Sequence, residues 1–135
     1  MLKKDHLELA QHFEELANLL KSQENKEDYI VGIIIASHYS ALHYIDSFLF
    51  ENVKPPETGC PLRHHSVDDP QISRHHIMQK YVEPDICIQY EYLRQKSQDV
   101  RYDRAFKYFP AKYPQIEPFV SGALKKIKNF VQKKK

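Results

Sequence analysis

From Glu27 to Glu51 the chain runs without a proline, and Ile30-Val31-Gly32-Ile33-Ile34-Ile35-Ala36 is apolar on every side of a helix. A helix without a polar face must be covered by its neighbours. This segment therefore predicts a central helix around which the rest of the chain packs. The run is far too short to cross a bilayer, so no membrane partner is expected. Gly32, Ala36, Ser37, Ser40 and Ala41 are small, and small residues let a neighbouring helix, or a second subunit, approach closely.

The flanking segments read as helices too. Leu9, Phe13, Leu16 and Leu20 recur at three- and four-residue steps, which predicts an amphipathic helix over about 4–21. Residues 52–70 hold Pro55, Pro56, Gly59, Pro61 and Pro70 and predict a long loop. A third helix, about 71–83, is expected to point Ile77 and Tyr81 inward and to stop before Pro84, which opens the next helix. That fourth helix, about 85–101, sets Ile86, Tyr90, Leu93 and Ser97 on one face. The stretch 102–113 is aromatic-rich and of irregular pattern. A last helix is expected from about Gln115, with Pro118 in its first turn. Ile116, Phe119, Val120, Ala123, Ile127 and Phe130 would then face the core.

Composition sets outer bounds. The 135 residues suit one domain. At 41% hydrophobic and 28% charged, the chain has material for a core and too much of it for disorder. Only 3 glycines argue against hairpin-rich folds and Gly-rich phosphate loops. Two cysteines and no signal-peptide pattern suggest a cytoplasmic setting. The net charge of +2 comes from the end of the chain, where Lys125, Lys126, Lys128, Lys133, Lys134 and Lys135 stand without an acid. That run is either a solvated helix face or a tail that attracts phosphate.

Eight histidines are many for this length. Cys60, His64, His75 and His76 are ligands of the right type for zinc. No second cysteine lies near them, however, and adjacent histidines diverge on a helix. The competing reading is loop histidines in solvent or at helix ends. His38 and His43 are five apart, on different faces of the central helix, and are expected to meet different neighbours. Cys87 reads as a small core residue. No nucleophile motif, P-loop or dinucleotide fingerprint occurs. The more informative set is Arg94, Gln98 and Arg101, at i, i+4 and i+7 of the fourth helix, with Tyr102 beside them. Two arginines on one face repel unless an anion offsets them. The anion is either internal, such as Glu91 or Asp103, or an external phosphate. Tyr102 is then a stacking surface or a core aromatic.

Three stretches carry a resemblance. Ala36-Ser37-His38-Tyr39-Ser40-Ala41-Leu42-His43-Tyr44-Ile45-Asp46-Ser47-Phe48-Leu49 mixes small residues with Tyr and His, Ser73-Arg74-His75-His76 opens the third helix, and Leu93-Arg94 precedes Arg101-Tyr102-Asp103. In this order the chain resembles the HEPN family (higher eukaryotes and prokaryotes nucleotide-binding domain) over nearly its whole length. The resemblance implies a single all-α domain, a five-helix up-and-down bundle, paired as a homodimer and without a cofactor. It implies binding of RNA or a nucleotide, or action beside a minimal nucleotidyltransferase in a toxin–antitoxin or defence module. Nuclease members of the family use an Arg, four to six residues, then a His. Here Arg94 matches the arginine, but that gap ends at Asp99, Val100 or Arg101, and no histidine follows His76. The expectation is thus a non-catalytic module with Arg94, Gln98, Arg101 and Tyr102 as its phosphate contacts. Two alternatives stand beside it. One is a metal-independent ribonuclease in which Arg94 acts with His75 or His76; the other is a purely structural protein-interaction subunit.

Overall fold

The structure is a computed structural model that describes residues 3–52, 74–102 and 110–133. Five helices make up most of these residues: α1 (Lys3–Lys21), α2 (Ile30–Asn52), α3 (Arg74–Tyr81), α4 (Pro84–Tyr102) and α5 (Tyr113–Lys133). Short 3-10 turns, Lys26–Tyr29 and Pro110–Lys112, lead into α2 and α5. Among the described residues there is no strand, and the expected all-α bundle is what forms. The proline-rich loop beyond Asn52, with Cys60 and His64, lies outside the described residues. So do 103–109, with Asp103, and Lys134 and Lys135.

The apolar segment is the centre of the bundle. Helix α2 touches all four other helices. Ile30, Ile33, Ile34, Ala41, Ile45 and Leu49 are shut off from water, each isoleucine or leucine burial worth roughly 1.5–3 kcal/mol before the entropy of ordering is counted. No residue of α2 before Phe50 is exposed. Its apolarity is satisfied within the chain and places no demand on a second subunit.

The small residues of α2 seat α1. Ser40 Oγ donates to the Ala10 carbonyl at 2.7 Å. A Cβ on Gly32 would stand 3.0 Å from Leu20 Cδ1. This closeness corrects the expected α1 stripe. The buried line is His6, Ala10 and Ala17, whereas Leu16 is 38% exposed. Where two backbones nearly meet, only short side chains fit between them, and the larger apolar groups flank the seam.

Three other expectations are corrected. Tyr81 is 42% exposed, and Met78 and Val82 are buried instead, because α3 ends at Tyr81 and the break before Pro84 turns Val82 inward. Helix α5 starts at Tyr113, so Pro118 is its sixth residue and lies past the first turn. The proline costs α5 the bond to the Pro114 carbonyl near its start, not one in its middle. Phe119 is 67% exposed, and Leu124 and Val131 join the core instead. Helix α4 follows expectation, with Ile86, Tyr90, Leu93 and Ser97 buried together with Val100. Glu14 of α1 ties three helices, accepting from Tyr44 Oη of α2 at 2.7 Å and from Lys128 Nζ of α5 at 3.1 Å.

Candidate functional site

Helix α4 extends through Tyr102, so Arg94, Gln98 and Arg101 do follow one another along a single rod. They do not share an anion. Arg94 grips Glu91 one turn earlier, with Nε 2.9 Å from Oε2 and Nη2 bonded to Oε1. These bonds hold the Glu91 carboxyl below its usual range; burial opposes the shift, and the field of His75 adds to it. His75 belongs to α3, where its Nε2 lies 3.1 Å from Gln79 Nε2. Its ring and that of His76 are 5.8 Å apart and nearly perpendicular, and both residues are exposed.

Arg101 has a different environment. Its Nε donates to the Ser97 carbonyl and its Nη1 to Tyr39 Oη, both at 3.2 Å. Its Cζ lies 5.9 Å from the centre of the Tyr39 ring and 5.3 Å from that of Tyr102. Among the described residues no carboxylate pairs with it. Tyr102 is 75% exposed, so it is a surface aromatic and not a core one. Gln98, one turn back, is half-buried. Tyr39 was not visible as a site residue in the sequence, because it reaches Arg101 only through the packing of α2 on α4.

A second polar cluster lies inside the bundle. Arg74 of α3 bonds both oxygens of Asp46 of α2, at 2.6 and 2.8 Å. Burial works against the charge on Arg74, but the Asp46 bonds outweigh it and hold the guanidinium charged. Tyr90 lies within the electrostatic reach of the same guanidinium, and burial pushes its phenol up to about 12. His38 packs its ring against Tyr39 and Tyr90. His43 meets His6 across the α1–α2 seam, Nδ1 to Nδ1 at 3.2 Å, and lies parallel to the Phe13 ring. The two α2 histidines therefore do meet different neighbours. Burial lowers the His6 pKa. It also raises the Cys87 thiol, whose Sγ points at the Met78 and Val82 carbonyls; this fits the core reading.

Of the residues weighed for zinc, Cys60 and His64 fall outside the described residues, and His75 and His76 join no three-ligand group within them. Asp46, Arg74 and His6 were missed. A single buried ion pair leaves no periodic trace, and its members read as ordinary surface charges. Of the basic run, Lys125, Lys126 and Lys133 are exposed, while Lys128 is committed to Glu14. Comparisons with protein-family models, with curated proteins and with solved structures found no match.

Proposed function

We propose that this chain is a non-catalytic HEPN-like helical module that binds RNA or a nucleotide. In this reading it works as a homodimer, beside a nucleotidyltransferase-type partner in a toxin–antitoxin or defence system. The observation that carries the binding is Arg101, a guanidinium with no carboxylate partner among the described residues, set over the rings of Tyr39 and exposed Tyr102. A cation to meet phosphate and an open aromatic face to meet a base are the two elements that single-stranded nucleic acid requires. Arg94 is a weaker contact, since Glu91 already offsets its charge. Support for a dimer comes from Ile88 and Phe119, 65% and 67% exposed on α4 and α5, rather than from α2. The test is fluorescence anisotropy with short single-stranded RNA at low salt. Arg101→Ala and Tyr102→Ala are each expected to weaken binding about tenfold, and Arg94→Ala to do less. Absence of binding by the wild type, or indifference to Arg101→Ala, overturns the reading. Light scattering that gives a monomer overturns its dimeric part.

A second reading draws on His75. Glu91 is bonded by Arg94 and lies within the electrostatic reach of His75; the two would supply an arginine to offset phosphorane charge and a histidine to move a proton. This metal-independent ribonuclease would cut RNA in the presence of chelator and lose activity in both Arg94→Ala and His75→Ala. Cleavage that survives either change removes it.

A further inference from the structure

We propose that His6, His43 and Asp46 form a binding site for a divalent transition-metal ion of the zinc class, in the seam between α1 and α2. The site shares no residue with the Arg101 surface, and its test does not depend on that reading.

The geometry begins with two facing nitrogens. His6 Nδ1 and His43 Nδ1, on different helices, are 3.2 Å apart, with ring centres at 5.4 Å and planes tilted by 31°. Two nitrogens on a tetrahedral zinc ion, each bound at about 2.0–2.1 Å, lie about 3.3–3.4 Å apart. The gap also suits a plain N–H···N bond, so the third donor carries the argument. Asp46 places a carboxylate oxygen so that all three ligand atoms lie within 4.8 Å of one another. His43 and Asp46 are also three residues apart on α2, the spacing that puts two ligands on one helix face inside a bundle.

The surroundings hold these groups in place. Asp46 is gripped by Arg74 at 2.6 and 2.8 Å, and each carboxylate oxygen retains a further lone pair. Outer partners of this kind orient a ligand and tune its metal. The Phe13 ring lies parallel to that of His43, 6.0 Å from it and tilted by 2°. The Ser40 bond to Ala10 sets the spacing of the two helices one turn away.

The donor set selects the ion. Two imidazoles and one carboxylate suit zinc and its first-row neighbours rather than calcium or magnesium. Arg74 cancels the charge of Asp46, so the bound ion keeps its positive charge and takes water, hydroxide or an external anion in its fourth position. His43 is only half-buried, which leaves a side from which the ion and that fourth ligand enter.

The experiment is a zinc titration of the chelator-treated full-length chain by calorimetry, paired with cobalt substitution. Expected are one ion per chain, the intense visible absorption of four-coordinate cobalt, and a rise in melting temperature with zinc. His43→Gln and His6→Gln are expected to weaken binding by roughly a hundredfold or more, beyond what loss of an outer partner causes, and to abolish the cobalt spectrum. Circular dichroism of each variant checks that the helices persist. A chain with Cys60→Ser, His64→Gln, His75→Gln and His76→Gln together must still bind. Should either single histidine variant fail to fold, nitrogen NMR of the wild type decides. With zinc, both rings must keep their proton on Nε2; one ring holding it on Nδ1 marks a plain hydrogen bond and overturns the proposal. Failure to bind zinc overturns it as well, as does binding lost only in the fourfold variant.

Discussion

Arg74 and Asp46, 28 positions apart in sequence, are joined by two parallel hydrogen bonds inside the bundle, their side chains only 3% and 4% exposed. This pair fastens the short helix α3 to the central helix α2. Tyr90 of α4 lies within the electrostatic reach of the same guanidinium.

Breaking one side of that pair strands a charge away from water. Arg74→Ala is expected to destabilise the chain by about 3–5 kcal/mol. The double change Asp46→Leu with Arg74→Met is expected to cost less than Arg74→Ala alone, because no charge is left buried. Urea unfolding near neutral pH checks both. Equal losses in the single and double variants would mean that packing, rather than charge pairing, holds α3.

The α1–α2 seam makes a contrasting pair of predictions. Ala10 is fully buried where the two backbones come close. Ala10→Leu is therefore expected to overpack the seam and cost about 1–3 kcal/mol. Leu16, outside the seam, is expected to tolerate a change to Gln within about 0.5 kcal/mol. Thermal melts of the two variants read the difference directly, and the reverse order would mean the helix faces are rotated from those described.

Glu91 links stability to pH. Its carboxyl titrates below the ordinary value of 4.5 because Arg94 bonds the ionised form. The folded chain thus binds this proton less readily than the unfolded chain does. The contribution is present above the unfolded value and is lost as pH falls through the folded one. The pair is exposed enough for water to screen it, so it is worth at most about 1 kcal/mol. Glu91→Gln is expected to lower the urea midpoint slightly near neutral pH, with the gap closing in acid. A gap that widens in acid would contradict the assignment.

The two arginines of α4 are expected to part company in salt. Each phosphate contact releases counterions, so removing one lowers the slope of log affinity against log salt by about 1. Arg101→Ala is expected to show that loss and Arg94→Ala a smaller one. Binding isotherms at several salt concentrations measure it. Equal slope changes would show that Glu91 does not offset Arg94 when RNA is bound.

Much of the architecture was legible residue by residue. The unbroken apolarity of Ile30–Ala36 marked α2 as the centre, since no other arrangement hides such a helix. The face of α4 through Ile86, Tyr90, Leu93 and Ser97 followed from spacing alone. Leu16, Tyr81 and Phe119 broke the pattern for one shared reason. Each is apolar at a plausible step, but which side of a helix touches a neighbour depends on how closely and at what rotation the two pack. The candidate site was half legible. Arg101 and Tyr102 are neighbours along one helix, whereas Tyr39 and the commitment of Arg94 to Glu91 needed coordinates.

Helix identity, the central place of α2 and the opening of α4 at Pro84 were thus decided by the chain itself, because hydrophobic period and proline chemistry are local properties. Tertiary structure alone decided that Arg74 finds Asp46, that His6 faces His43, and that Arg101 rests on Tyr39. Those contacts join residues 28, 37 and 62 positions apart. They exist only because close packing of whole helices brings polar groups together where water is excluded, and no local pattern records that meeting.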